Sequence, residues 1–216
     1  MMRSRFAEQI EQLNTELILM GSLCEDSLVK LGETLAAKDS RLLNEIKLLG
    51  RHIEEKEREI ENICISLLLK QQPVASDLRR ISAALKLITD LRRIGEQTAN
   101  IAEILKQDEF PGSYDTTLLK SMAKAAQDML SGCLDAFVDK DKNKALQVCH
   151  DDDVVDELFA KSKRELIKSI RATQDSGEAA VDYLMAAKYF EKICDHTVNI
   201  AEWIVYMITG EHKEEP

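Results

Sequence analysis

The sequence has little of what β-sheet and open α/β folds need. It contains only 8 glycines and 3 prolines in 216 residues, and aromatic residues make up 5% of the chain. Such folds need many turns, and strands favour β-branched and aromatic side chains. With 44% hydrophobic residues the chain can still bury a substantial core. The composition therefore predicts an all-helical protein.

Several classes of protein lack their signatures here. The longest stretches without Asp, Glu, Lys or Arg, such as residues 203–210, have eight residues, whereas a membrane span requires about 18 apolar residues. The first turns carry charged residues and no apolar signal region, which predicts a cytoplasmic location. The five cysteines form no CxxC pair and are expected to be free, buried thiols.

The charge balance argues against a nucleic-acid partner. The formal net charge is -10, from 29 basic and 39 acidic residues, and the sequence shows no obvious dense basic patch. Residues 1–108 carry a net charge of -2 (16 basic, 18 acidic) and the rest -8 (13 basic, 21 acidic). The second half is therefore much the more acidic.

Apolar spacing predicts six long helices. In the first, apolar residues recur every three or four positions from Phe6 to Leu35, which keeps one stripe facing a partner. A second helix begins near Asp39 and ends before Pro73, and a third runs from about Ser76 to Leu105. The stretch 110–113 is predicted to be a linker, and three more helices follow at 116–138, 142–172 and 178–209, with Gly210 as a stop.

The chain is an internal duplication. Residues 94–103 (IGEQTANIAE) align with residues 193–202 (ICDHTVNIAE) at a constant offset of 99, and six of the ten pairs are identical. The predicted architecture is therefore two tandem antiparallel three-helix bundles. We place the first repeat at residues 1–109 and the second at residues 115–216.

The last predicted helix carries an oxygen-rich stripe. At about 100° per residue, Asp195, Asn199 and Glu202 fall within roughly 80° of Glu191, on the face opposite the apolar residues. The preceding helix supplies Asp152 and Asp156, one turn apart, and two antiparallel neighbours bring such ligands together. Like charges at this spacing repel unless a cation lies between them. Oxygen donors of this kind suit magnesium, manganese, calcium or ferric iron more than a structural zinc, although zinc is not excluded.

Simpler interpretations of the same residues stay open. A carboxylate on an outward helix face is usually only solvated, and the repeated Asn100 and Asn199 equally suit a hydrogen bond that packs the bundle. The four histidines are scattered, and no phosphate-binding loop, GxSxG or HExxH motif is present. Cys194, which takes the place of Gly95 in the repeat, is expected to be a small core residue rather than a nucleophile.

Three segments make the sequence resemble the PhoU family of bacterial phosphate-uptake regulators. They are residues 6–14 with Met20 and Gly21, residues 72–79, and residues 191–196 with residues 199–202. The resemblance covers essentially the whole chain. It implies two three-helix bundles, a surface metal cluster on each repeat, and a homodimer.

The resemblance also implies which residues hold metal. The family's acidic-x-x-x-Asp motif stands in the second repeat as Glu191 with Asp195 and as Asp152 with Asp156, and Asn199 and Glu202 are their neighbours. The first repeat departs from the motif, because Arg92 and Ile53 replace two of the acidic residues. A guanidinium is therefore expected there in place of a metal. Any metal bound in the first repeat, by Glu57, Glu96, Asn100 and Glu103, is predicted to bind more weakly than in the second.

Family membership implies a role without catalysis. Such a protein links the ABC phosphate importer to the membrane sensor histidine kinase and represses phosphate uptake when phosphate is plentiful. The implied cofactor is a metal ion, with iron, manganese, magnesium and zinc as the candidates. The alternatives are a metalloenzyme built on the carboxylates, which lacks a nucleophile or base beside the metal, and a plain helical scaffold.

Overall fold

In a computed structural model, the chain forms six long helices. The structure describes residues 2–37, 39–70, 74–107, 110–111, 114–172 and 177–211, and no strand occurs among them. The helices are α1 (Met2–Ala37), α2 (Ser40–Lys70), α3 (Ala75–Leu105), α4 (Thr117–Asp139), α5 (Lys142–Ala172) and α6 (Gly177–Thr209). The predicted all-α class is thus confirmed. None of these helices, as far as described, is long and apolar enough to cross a membrane.

Polar side chains and left-handed residues fix the helix ends. Asp39 accepts a hydrogen bond from the backbone N–H of Arg41 at 2.9 Å, and Asp141 accepts one from Asn143 at 2.8 Å. Both side chains satisfy donors that the first helical turn leaves free. At the other ends, Lys140 after α4 and Gly210 after α6 adopt positive φ values of 53° and 81°. The predicted stop at Gly210 is therefore confirmed.

Two sequence predictions concern segments that are described only in part. The break expected at Pro73 lies outside the described residues, although α2 ends at Lys70 and α3 begins at Ala75. In the predicted linker, Phe110 is buried, whereas Gly112 and Ser113 lie outside the described residues.

The two repeats pack through four central helices. Helices α3 and α6 run antiparallel, because the contact between Asp90 and His196 is followed by one between Lys86 and Trp203. Helices α1 and α4 are antiparallel as well: Gln127 donates to the Leu28 carbonyl at 2.9 Å, and a Cβ added to Gly21 would collide with the Leu134 side chain. Helix α2 flanks α1 and α3, and α5 flanks α4 and α6.

One hydrophobic core runs through both repeats. Buried apolar side chains from all six helices form a single cluster. The stripe predicted for α1 is confirmed, since its members from Ile10 to Leu35 are all buried. The outer helices α2 and α5 pack on α3 and α6 respectively, and a groove open to solvent lies between α2 and α3.

Candidate metal site

Four carboxylates converge where α5 packs against α6. Asp152 and Asp156 lie one turn apart on α5, and Glu191 and Asp195 lie one turn apart on α6. The helices are antiparallel, with Lys188 on α6 placed 5.4 Å from the Phe159 ring on α5. This register brings Asp152 level with Asp195 and Asp156 level with Glu191. We call these four side chains the second-repeat carboxylate cluster.

Burial and then mutual repulsion raise the pKa values of two carboxylates in the cluster. Partial burial, followed by the charges of Asp156 and Asp195, raises the pKa of Asp152 to about 6. Burial and the charge of Glu191 likewise raise the pKa of Asp195, and Lys188 partly offsets that rise. Carboxylates raise each other's pKa only at close range, so the structure brings together the residues that the sequence assigned to one site.

The cluster is less exposed than its position on the helix surface predicts. Asp156 and Asp195 are exposed, as expected, but Glu191 is partly shielded and the Lys188 ammonium lies against its carboxylate. One Asp152 oxygen, Oδ1, is buried without a hydrogen-bond partner in the structure, whereas Glu191 Oε2 is paired with Lys188. Buried polar atoms nearly always have partners. The expectation that the stripe on the last helix points into solvent is therefore wrong for Glu191, and Asp152 on α5 is partly buried as well.

The donors of the cluster fit a hard cation by their chemistry rather than by a closed coordination geometry. Among the described residues, no group of three or more His, Cys, Asp or Glu side chains has the arrangement of a metal site. A bound cation would give the unpartnered Asp152 oxygen a partner and would offset the repulsion that contributes to the raised pKa values. Carboxylate oxygens are the ligands that magnesium and manganese favour. Metal binding at this cluster stays a prediction that the donor set supports.

The remaining two predicted ligands of the second repeat lie further along α6. The Asn199 amide nitrogen lies 3.4 Å from Asp90 Oδ1 on α3, and His196 Nδ1 lies 2.9 Å from the same oxygen. Asn199 thus takes part in the packing hydrogen bond that the sequence left open as an alternative. Glu202 is partly buried, further along α6 from His196.

In the first repeat a guanidinium sits between the equivalent carboxylates. Arg92 Nε donates to Glu57 at 3.0 Å, and a second nitrogen of Arg92 is paired with Glu96. Arg93 also binds Glu96, at 2.8 Å. The guanidinium of Arg92 therefore lies between the carboxylates of Glu57 and Glu96, where the sequence predicted it.

The other two ligands predicted for the first repeat surround the same groove. Asn100 lines an open pocket of about 280 Å³ together with Arg92, Gly95 and Glu96. Glu103 forms an ion pair with Lys47 at 3.2 Å. Each of the three predicted glutamates thus already contacts a basic side chain, which weakens their competition for a metal.

Two linked substitutions between the repeats, next to the two sites, were not recognised from the sequence. In the first repeat Ile53 is buried against Gly95, where an added Cβ would lie 2.9 Å from Ile53 Cδ1. In the second repeat the equivalent positions hold the shorter Asp152 and the larger Cys194. Cys194 is buried, as expected, and burial with the charge of Asp152 raises the pKa of its thiol. The signal was available, because both exchanges occur at the same offset of 99.

Asp152 should make the stability of the metal-free protein depend on pH. Its folded-state pKa of about 6 lies above the ordinary value of 3.8, so folding favours the protonated form. The contribution is present below pH 4 and is lost as the pH rises through 6. We expect Asp152→Asn to raise the free energy of unfolding at pH 7.5 by about 1 kcal/mol, after allowance for solvent screening, and to change it little at pH 4.

Urea unfolding in the presence of a chelator, at both pH values, checks this expectation. Glu157→Gln serves as the control, because Glu157 is exposed on α5 and its charge does not contribute to the raised pKa of Asp152. An equal gain in the control, or a gain for Asp152→Asn that does not vary with pH, would show that the raised pKa of Asp152 is not its source.

The chain is similar in sequence and in structure to known proteins of one family. The sequence profile of the PhoU domain matches the chain twice, at residues 17–105 and 119–204. A Clostridium acetobutylicum protein named as a homologue of the phosphate-specific transport system accessory protein PhoU is 33% identical over 216 residues, with 99% of each chain covered.

Solved structures agree over nearly the whole length. The crystal structure of PhoU from Pseudomonas aeruginosa superposes with a TM-score of 0.91 at 29% identity, over 95% of this chain and 100% of that one. The phosphate transport system regulatory protein PhoU from Streptococcus pneumoniae gives 0.89 at 27% identity, over 97% and 100%. With two matched domains and full-length relatives, the chain belongs to the PhoU family.

Proposed function

We propose that this protein is a non-catalytic accessory protein that regulates phosphate uptake. The observation that carries the proposal is the match of two PhoU domains to a chain that is covered end to end by a relative named for the phosphate-specific transport system. The duplicated helical platform has long exposed faces on α2 and α5. Such faces suit contact with other proteins more than they suit enclosing a substrate.

The second-repeat carboxylate cluster is the proposed regulatory metal site. Asp152, Asp156, Glu191 and Asp195 would hold the ion, and Asn199 and Glu202 extend the polar face along α6. The candidates are iron, manganese, magnesium and zinc, and a bound cation would supply positive charge that offsets the repulsion between these carboxylates. The chain's own contribution is to hold α5 and α6 at a fixed separation across the site.

The described residues favour regulation over catalysis at this cluster. Burial raises the pKa of the Cys194 thiol, which makes it a poor nucleophile, and the His196 ring is directed to Asp90 on α3 rather than into the cluster. Asp156 and Asp195 stand open to water. A hydrolytic or redox enzyme needs a reactive group beside the metal and a site that excludes water.

The proposed partners follow from the family role. In this proposal the protein acts in the cytoplasm as a homodimer, where it contacts the ABC phosphate transporter and the membrane sensor histidine kinase. Through these two contacts it would lower both uptake and the transcription of phosphate-starvation genes. No nucleic acid is needed for this role.

Deletion of the gene tests the regulatory assignment. We expect the deletion strain to take up radiolabelled phosphate at a high rate in phosphate-rich medium and to express a phosphate-starvation reporter there. A plasmid copy of the gene should restore repression of both. Normal repression in the deletion strain contradicts the proposal. High uptake with a silent reporter restricts the role to the transporter and removes the kinase from it.

A further inference from the structure

The C-terminal half of α5 is strongly basic, although the protein is acidic. Within eleven residues it carries five of the 13 basic residues that follow Asp108. All five are exposed, and we call them the α5 basic face: Lys161, Lys163, Arg164, Lys168 and Arg171. The expectation from the sequence that no dense basic patch exists is therefore wrong at this place, because the surrounding acidic residues hide the cluster in a count over the half-chain.

Two exposed isoleucines lie among these basic residues. Ile167 is 42% exposed and Ile170 is 48% exposed. At 100° per residue Ile167 falls within about 60° of Arg164, and Ile170 falls within about 20° of Lys163, nearer the edge that packs on the core. Val181, 60% exposed, adds another apolar side chain near the start of α6, which packs antiparallel against this end of α5. Basic and apolar side chains are thus interspersed over one outward surface.

Glu165 is the one acidic residue within 161–171, so it offsets only part of the charge of the five basic residues. Lys168 forms an ion pair with Glu165 on its own helix at 2.8 Å, and both side chains are well exposed. In the part of the chain that the structure describes, no ion pair joins Lys161, Lys163, Arg164 or Arg171 to an acidic group. The face therefore combines net positive charge with the exposed apolar side chains of Ile167 and Ile170.

We infer that the α5 basic face docks this protein onto an anionic lipid surface. Basic side chains gain free energy near anionic headgroups, and apolar residues between them insert into the boundary of the acyl chains. The face lies on the exposed side of one helix and mixes basic with apolar side chains, the composition of helices that bind in a lipid interface. Asp156 lies seven residues before Lys163, about 10 Å along α5, so docking would hold the carboxylate cluster close to the membrane.

Vesicle co-sedimentation of the full chain tests the inference. A chelator is included, so that a metal cannot bridge the carboxylates to lipid phosphate. We expect binding to phosphatidylcholine vesicles that contain phosphatidylglycerol, weakening with salt, and no binding to phosphatidylcholine alone. The triple variant K163Q/R164Q/K168Q should bind about a hundredfold more weakly, at about fivefold for each basic residue removed.

Two further variants make the result specific. R51Q/R58Q/K142Q removes three exposed basic residues elsewhere and changes the net charge equally, so it should bind like the unmodified protein. I167S/I170S keeps every charge and should still lose about tenfold in affinity, because the apolar contacts are lost. Circular dichroism verifies that each variant is helical, and the isoleucine pair decides the question if the triple variant does not fold.

Three results would overturn the inference. The first is an unmodified protein that leaves phosphatidylglycerol vesicles unbound at low salt. The second is an R51Q/R58Q/K142Q control that loses as much affinity as the α5 variant, which would reduce the effect to net charge. The third is binding of polyglutamate through the α5 basic face without vesicle binding, which would assign the face to an acidic protein instead.

Discussion

Replacing Asp152 and Asp195 together by asparagine should lower the affinity of the protein for Mn²⁺ about a hundredfold. Each helix then loses one of its two carboxylates, and the buried Asp152 oxygen no longer carries the negative charge that a cation would neutralise. Isothermal titration calorimetry and elemental analysis of the purified full-length protein measure the loss. In the deletion strain, this variant should fail to restore repression of phosphate uptake.

The matched control is Asp151→Asn with Asp153→Asn. It removes the same charge from the protein, but Asp151 accepts a hydrogen bond from Gln147 and Asp153 is exposed. The control should keep both metal binding and complementation. Equal losses in the two double variants would reduce the effect to general charge. Unchanged metal content and unchanged phosphate control in D152N/D195N would leave the plain helical scaffold as the better interpretation.

The double variant I53D/R92E should convert the first repeat into a second cation site. Arg92 now holds Glu57 and Glu96, with about a fifth of its side chain exposed, and Ile53 is almost fully buried. Exchanging both for carboxylates recreates the acidic pattern of the second repeat. Without metal, the free energy of unfolding should fall by about 3 kcal/mol or more, since charges are buried and a paired arginine is lost.

Added Mn²⁺ should restore part of that stability, and the number of ions bound per chain should double. Thermal unfolding with and without Mn²⁺, together with elemental analysis, measures both effects. Arg93→Glu is the control, because Arg93 contacts Glu96 but not Glu57. It should bind no additional ion. A destabilised I53D/R92E variant that gains no ion would show that the backbone around Glu57 and Glu96 cannot present carboxylates to a metal.

The sequence predicted the helices well because their determinants are local. Apolar spacing, with the break between the helices predicted at 116–138 and 142–172, places the core stripe and the helix ends within a few residues, so neighbours along the chain suffice. The pairing of Asp152 and Asp156 with Glu191 and Asp195 also followed, since short connections force consecutive helices to be antiparallel.

Properties that depend on distant neighbours could not be predicted in the same way. A helical wheel gives the direction of Glu191 from its own axis but not how closely α5 covers it. The contact of Asn199 with Asp90 joins two repeats, and no spacing along one helix reveals it. The α5 basic face was missed for a related reason: a charge count over half the chain averages over surfaces that point in different directions.

The continuous core across α1, α3, α4 and α6 has a consequence for the origin of the chain. Each half presents a broad apolar surface that only the other half covers, and the two halves meet in antiparallel fashion at both α1–α4 and α3–α6. A solitary half would bury that surface against a second copy of itself in a nearly two-fold arrangement. Fusion of two such copies then allows the sequences of their ligand-bearing helices to diverge. Arg92 and Glu191, which occupy equivalent positions, show such a divergence.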